Sequence, residues 1–524
     1  MRGSTVAGLL AVLTLGGQIG AQPPAPEPAP NRPLTALEAV SLALRQDPAL
    51  RSLALEVEQA RGAALIASGE FDRLLTASGA GGFSQQDLTD AESEAAGGDA
   101  DQRTDWGFDG SAAWVINRRS GVRLTPSVSV SAEESDVDLI ATLPGAASST
   151  GFDLYSGRAS FVVDIPLGRG RGAESVAAGE VATTLDVEAS RAALRHGASV
   201  TARSVLEAYW TLAAASARLA VLEESLTAQQ RLQELTRALI ETDQLPRVEI
   251  SRSLAREASA RGDVDSARRA VSEARVALAS AMGLTLDRLA GAPSSTDPLP
   301  PVPLEVPELD PGLVARALAG RSDRRSLELL IASGGVLARA AELDLRDRLD
   351  TSVGASYGRL SDDGFDDLPT SSLDGPSAFV SVLYEKSLGN RTARGILAER
   401  AAEVELREVR LAELEREIRL GVIGAWAELA DVVAAVQRAD EAVAFAEDAI
   451  GSELELLRLG SSTLIDTLQT EDRRIEAELE RIELRLRYAR LLADLRFESA
   501  TLLRATAEGF AVGAEDLVTV PGAR

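Results

Sequence analysis

Apolar residues along this chain recur with two different periods, in alternating blocks. In a proline-free stretch from about Val176 to Ile240, the residues Val205, Ala208, Leu212, Ala215, Leu219, Leu222 and Leu226 step by three and four. Further on, Val404, Leu411, Ile418, Ala425, Val432, Ala439 and Ala446 repeat every seven, joined by Val422, Leu429, Val436, Val443, Ile450 and Leu457. Sustained heptads predict long, supercoiled helices. At 1.5 Å per residue the first would run roughly 98 Å, far beyond an ordinary globular helix. A segment starting at Leu464 carries two stripes, Ile475, Leu479, Ile482, Leu486, Ala489 and Ala493 on one side, Leu484, Tyr488, Leu491 and Leu495 on another. Two seams on one helix predict a neighbour on each side, as in a wall or cylinder of helices.

Between the helical blocks the period falls to two. Trp106, Phe108, Gly110, Ala112, Trp114 and Ile116 alternate with Asp109, Ser111 and Asn117. After a turn at Arg118 to Gly121, Val122, Leu124, Val128 and Val130 alternate with Arg123, Thr125, Ser127 and Ser129. One apolar face with aromatics near its ends and one polar face is the pattern of a membrane hairpin with a wet interior, and it makes Trp106, Phe108 and Trp114 candidate membrane-interface anchors. A half-buried soluble hairpin would show the same alternation if it stood alone. Pro126 lacks an N–H and should interrupt the ladder. The acidic, Gly-rich stretches 87–105 and 361–375 suit exposed extracellular loops.

The plan occurs twice. Arg51-Ser52-Leu53-Ala54-Leu55 recurs as Arg325-Ser326-Leu327-Glu328-Leu329, and Asp72-Arg73-Leu74 as Asp347-Arg348-Leu349, each running into alternating sequence. The first repeat is expected over 34–291, with strands at about 76–166 and a helical hairpin at about 173–290. The second is expected over 312–507, with strands at about 350–386 and a hairpin at about 391–507. A Pro-rich crossover, 292–311, separates them, and 508–524 forms a tail. Residues 1–21 read as a signal peptide, with Arg2, an apolar stretch from Val6 to Ile19 and the small Ala21. Residues 22–33 read as a Pro-rich tether. No later apolar run is expected to reach the roughly 18 residues of a membrane-spanning helix, which leaves a closed barrel as the means of crossing.

Composition narrows the function. The 524 residues carry 4% aromatics and 2 Met, suited to Ala- and Leu-rich helices. A net charge of −26 without a basic face argues against nucleic acid as a partner. With 0 Cys, disulfides and thiolate metal sites are excluded. His196, the 1 histidine, stands mid-helix without companion ligands and reads as a solvated or packing residue. Gly168, Gly170 and Gly172 fit neither phosphate-loop spacing and read as a strand-to-helix junction. The dense Arg and Glu of the long helices read mostly as a solvated face. No constellation supports an enzyme, and no cofactor is expected.

Three segments carry a family resemblance. Leu34-Thr35-Ala36-Leu37-Glu38-Ala39-Val40, followed by Ala43-Leu44-Arg45-Gln46-Asp47-Pro48, resembles the first helix of the TolC-like outer-membrane efflux proteins. Ile165-Pro166-Leu167-Gly168-Arg169-Gly170-Arg171-Gly172 is similar to their strand-to-helix junction, shortened at Ser387-Leu388-Gly389-Asn390-Arg391. Leu457 to Leu468 resembles their second hairpin tip, where Gly460 can cap the outgoing helix and Ser462 or Thr463 can start the return one. The resemblance implies a membrane α+β fold: a trimeric outer-membrane β-barrel continuous with a coiled-coil, α-helical periplasmic tunnel, two repeats per chain. It implies an exit duct of a tripartite efflux pump or type I secretion system. The partners implied are a homotrimer, a periplasmic adaptor, an inner-membrane transporter and outer-membrane lipid. The family has two strands per repeat, whereas residues 106–132 add two further strand-like segments to the first.

The resemblance also implies sites. The tips Gln244, Leu245 and Pro246, and Gly460, Ser461, Ser462 and Thr463, would meet the adaptor. Asp466 matches the family's tunnel-lining Asp, and Glu249 stands at the equivalent place in the first repeat, so both would form a channel constriction. The family's second acidic position is Gln469 here and its basic latch position Ser462, implying a weaker latch. Helix-dipole charges at two helix starts would explain the same two acids. The competing class is a non-channel coiled-coil structural or adhesive envelope protein, which would account for the heptads but not for membrane-type strands inserted at matching places in both halves.

Overall fold

The computed structural model describes residues 33–95, 101–136, 152–241, 247–285, 292–306, 308–362, 364–370, 375–459, 461–506, 509–513 and 515–521. The expected signal peptide and nearly all of the tether lie outside them, as do Gln244, Leu245, Pro246 and Gly460. In the first half α1 (Ala36–Gln46) and α2 (Pro48–Gly69) lead into β1 (Arg73–Asp87), α3 (Asp90–Ala95), β2 (Gln102–Asn117), β3 (Arg123–Ser135) and β4 (Phe152–Pro166). Then follow α4 (Ala173–Val176), α5 (Ala178–Glu241) and α6 (Val248–Ala281). The second half runs through α7 (Leu313–Gly320), α8 (Ser322–Leu343), β5 (Arg348–Ser361), β6 (Pro376–Glu385), α9 (Arg391–Arg458) and α10 (Leu464–Glu498). A two-stranded ribbon, β7 (Arg504–Thr506) and β8 (Gly509–Ala511), follows α10.

Local chemistry sets these boundaries. Thr35 and Glu38 form a reciprocal capping box, at 3.2 and 3.0 Å, that starts α1. Asp47 ends α1 and caps α2 by accepting the Ala49 amide at 2.9 Å, with Pro48 in the first helical position where its missing N–H is harmless. α5 and α9, at 64 and 68 residues, run roughly 96 and 102 Å.

The two seams read on α10 serve two different cores. Leu486, Ala489 and Ala493 join Val205, Leu206, Tyr209, Trp210 and Leu212 of α5 in one cluster. Tyr488, Leu491, Leu492 and Leu495 join Ile418, Val422, Leu429, Val432 and Val436 of α9 in another. α10 is thus the shared wall between the halves. The same clusters correct the expectation that no later helix reaches membrane-spanning hydropathy, because Ala178–Ala238 and Arg391–Leu457 each contain such a window. Only 39% and 33% of those windows are buried, so the α5 and α9 seams cover part of each.

All six long strands form one antiparallel sheet in sequence order, β1 to β6. The first half therefore supplies four strands and the second two. Pro126 interrupts the β2–β3 ladder without shifting it, since Ala113 pairs with Ser127 and Ile116 with Leu124 in the same register. The expected loop 87–105 is shorter than read: β1 reaches Asp87, β2 begins at Gln102, and α3 lies between.

Below the sheet, the glycine-rich segment is a junction. A Cβ on Gly168 would stand 2.2 Å from the Asp347 carbonyl oxygen, and Leu167 and Arg169 donate to the Leu349 and Asp347 carbonyls at 2.7 and 3.0 Å. Gly121, at φ +90°, lies equally close to the Gly170 carbonyl, so the β2–β3 turn is pressed against that junction.

The chain start and the crossover are bolted to α5 through one hydroxyl. The fully buried Tyr209 donates to the Leu34 carbonyl at 2.9 Å and accepts from the Thr296 and Asp297 amides at 3.2 and 3.0 Å. The Thr296 amide also reaches the Leu34 carbonyl at 3.1 Å, so replacing Tyr209 by Phe strands the Asp297 amide, and thermal unfolding of the variant is expected to show a loss of about 1–3 kcal/mol; an unchanged midpoint would mean that water replaces the hydroxyl.

Candidate functional site

Two regions bear on function, the faces of the sheet and the far ends of the helical hairpins. Alternation sorts the sheet cleanly. On one face Leu75, Trp114, Val128, Phe161, Val353 and Val380 are between 42% and 73% exposed. A surface this apolar on a folded chain marks a partner or a membrane. Trp106 lies on the same face at the loop end, its ring 5.2 Å from Phe83, with Phe108 one pleat further in. Trp114 lies at the helix end, with the Arg73 guanidinium 5.7 Å from its ring. The three predicted aromatics thus share one face, with Trp106 and Trp114 toward opposite ends of it.

Hydroxyl groups dominate the other face. A single rung crosses all six strands through Thr76, Ala113, Ser127, Ser160, Ser356 and Ser377. Ser127 meets Ser160 at 2.6 Å and Ser356 meets Ser377 at 2.7 Å. Ser78 with Ser111 (2.8 Å) and Ser131 with Ser156 (2.6 Å) continue the pattern, while Phe379 and Leu383 break it on β6. A cavity of about 1180 Å³ opens against this face at its helix end, lined by Asn117, Arg123, Asp164, Ser352 and Ser381 among others. The polar face therefore lines this cavity, together with the junction and the start of α9.

At the far ends, α6 and α10 begin differently. Thr463 caps α10, its hydroxyl oxygen accepting from the Asp466 amide at 3.2 Å while its O–H donates to the Asp466 carboxylate at 2.6 Å. Asp466 is exposed. Glu249, in the first turn of α6, is largely covered by protein and pairs with Arg252 at 3.0 Å, leaving one carboxylate oxygen buried without a hydrogen bond. Ser462 bonds Glu453 of α9, and the Ser461 amide donates to the Leu456 carbonyl at 2.9 Å, so both tie the tip to its own hairpin.

Behind the tips runs a polar seam that the sequence reading missed. Buried Gln233 donates to buried Glu257 at 2.9 Å. Arg256 of α6 reaches across to Asp472 and to the Leu468 carbonyl of α10, linking the two hairpins. Arg474, 9% exposed, sits between Glu471 at 2.8 Å and Glu478 at 2.6 Å, themselves 5% and 8% exposed. Hydrogen bonding to Glu471 raises the affinity of Arg474 for its proton, so it stays charged. This cluster is the exception to the mostly solvated Arg and Glu face: spacing of three and four was visible, but only the neighbouring helices make it interior.

A second buried cluster surrounds His196. Arg321 bridges Asp323 and Glu498, both at 2.8 Å, and Arg203 meets Asp494 at 2.6 Å. Burial pushes the Asp494 carboxyl up to about 6 and raises that of Glu498. His196 packs at the edge, 3.7 Å from Asp323 and with its ring 5.9 Å from that of Phe497; burial lowers its proton affinity.

Neither a protein-family model nor a curated protein matches this chain. Solved structures do. The outer-membrane channel OprN superposes with a TM-score of 0.63 at 14% identity, covering 89% of this chain and 90% of its own. The outer membrane protein VceC of Vibrio cholerae gives 0.60 at 16% identity, with 89% and 96% covered. The MtrE outer membrane channel of Neisseria gonorrhoeae, in its open state, gives 0.61 at 17%, with 89% and 88% covered. The chain has the fold of these TolC-like outer-membrane channels over nearly all of its described length.

The buried Arg474 cluster makes a contrast that can be measured. Arg474→Met leaves two carboxylates buried without their cation and should cost about 3–5 kcal/mol in thermal unfolding. Arg487→Met, which loses an exposed pair with Glu428 at 2.7 Å, should cost about 0–1 kcal/mol. Equal small losses would show that water reaches the Arg474 cluster.

Proposed function

We propose that this chain is the outer-membrane exit duct of an export machine, passively conducting cargo from the periplasm to the exterior as a ring of three copies. The observation that carries the reading is the sheet: apolar on one face, hydroxylated on the other, open at both edges, and set at one end of helical hairpins about 100 Å long. A sheet with one lipid-compatible face and one wet face suits a barrel wall. The likeness to OprN, VceC and MtrE, each described as an outer-membrane protein or channel, supports the same reading.

In this reading the hairpins stand in the periplasm and their tips receive an adaptor that connects to an inner-membrane transporter, whether of a tripartite pump or a type I secretion system. Residues 461–463 and the segments around 244–246 and 460 form that contact. The residues supply a conduit and no reaction. A coiled-coil spacer or adhesin would share the helices but has no use for the two-faced sheet.

Asp466 and Glu249 form the constriction near the tips, with unequal weight. Asp466 is exposed and carries its charge into the lumen, whereas Arg252 offsets that of Glu249. Three copies of Asp466 around one axis favour cations.

Purified protein in a planar bilayer should therefore conduct ions as an SDS-resistant trimer. Asp466→Ala should lose most of the cation preference, and Glu249→Ala distinctly less. A monodisperse, detergent-free monomer that conducts nothing would overturn the duct, while an unaltered selectivity in the double variant would remove the constriction alone.

A further inference from the structure

The β2–β3 hairpin sits inside the sheet, between β1 and β4, and not on an edge. It makes full ladders on both sides, from Arg73 opposite Ile116 to Asp87 opposite Gln102, and from Arg123 opposite Asp164 to Ser135 opposite Phe152. It also continues both faces, presenting Trp106, Phe108, Trp114, Val128 and Val130 on the apolar side and Ser111, Ser127, Ser129 and Ser131 on the hydroxylated side.

Its turn is fixed below as firmly as its strands are fixed above. The Gly172 amide donates to the Ser120 carbonyl at 3.0 Å, and Gly121 abuts the Gly170 backbone. Arg119 makes a bidentate pair with Glu180 of α5 at 2.6 Å for each bond, and its guanidinium lies 4.7 Å from the Phe71 ring. A hairpin held at its turn by the start of α5 and along both strands by the sheet is part of the wall.

The edges show how the wall closes. β1 and β6 are exposed along their whole lengths. Successive strands alternate in direction, so β6 runs opposite to β1, and β6 of one copy can pair with β1 of the next by the same antiparallel ladder used elsewhere. The partner that fits this edge is a second copy of the chain.

We propose that the β2–β3 hairpin is a built-in widening of the duct, and that three copies close an 18-stranded barrel with a hydroxyl-lined lumen. The number three rests on the exit-duct reading; the six strands per copy do not. Two strands at about 4.8 Å spacing add roughly 10 Å of circumference per copy, hence roughly 30 Å per ring and about 10 Å of diameter before strand tilt. Barrels of about 18 strands hold an aqueous channel too wide for side chains to fill. The outer mouth then passes bulky, hydrated cargo without selecting by charge, and selection is left to the acidic tips.

The test compares the full chain with a variant lacking residues 102–151. In that variant β1 lies beside β4, which preserves the alternation because β1 and β3 run the same way and present the same faces. Neutral polymers of graded size, added from the loop side during single-channel recording, should be excluded by the variant at a radius about one third smaller. The same cut-off in both would overturn the proposal. A second measurement is independent of the deletion and of conduction. In this chain of 0 Cys, Ser129→Cys in lipid vesicles should react with a charged, membrane-impermeant maleimide while Val130→Cys is protected. Equal labelling would place the hairpin outside the wall and overturn the widening, whereas a wild-type chain that never conducts would defeat only the duct.

Discussion

Backbone amides and carbonyls at membrane depth must find partners, because hydrocarbon offers none. Within one chain β2 to β5 satisfy that demand on both sides, but the outer flanks of β1 and β6 do not. Long, exposed edges of this kind invite pairing with anything extended. Here the strand directions, the continuous apolar face and the continuous hydroxyl face all select the same partner, another copy of the chain. The head-to-tail contact this implies either closes into a ring or grows into a filament, and a closed barrel is the form that leaves no edge.

The helical half answers a different demand. An Ala-rich helix of more than sixty residues buries little area per turn, so it needs neighbours on more than one side. α10 supplies them by carrying one seam into the α5 core and another into the α9 core. Those cores are apolar around Trp210 and Trp426 and turn polar toward the tips, where Gln233, Glu257, Glu471 and Arg474 occupy the interior. Charged, hydrogen-bonded groups fix a register more tightly than they add net stability. The tip end of the bundle is thus held by specific pairs, its middle largely by packing around Trp210 and Trp426.

Much of this was legible in the sequence because it follows from periodicity. The heptads, the two seams of α10, the Asp47-Pro48 boundary and the alternating faces of β2 and β3 all depend on spacing alone. So did the two additional strands in the first half. What spacing could not reveal was which charges turn inward. Glu471, Arg474 and Glu478 look like any solvated helix face until α5 and α6 are placed over them. The partners of Asp494 and Glu498 come from Arg203 and Arg321, hundreds of residues away, and His196 acquires its surroundings only through that long-range packing. Asp466 and Glu249 were equivalent by position, yet Thr463 leaves one exposed and Arg252 covers the other, a difference set by side-chain geometry.

Hydrogen exchange along β1 and β6 in the membrane-embedded protein tests the edge-closure claim most directly. If neighbouring copies complete the barrel, amides on the outer flanks of both strands exchange as slowly as those of β3, which is paired on both sides. Exchange at those flanks at the rate of free, solvated edges, with β3 still protected, would contradict it.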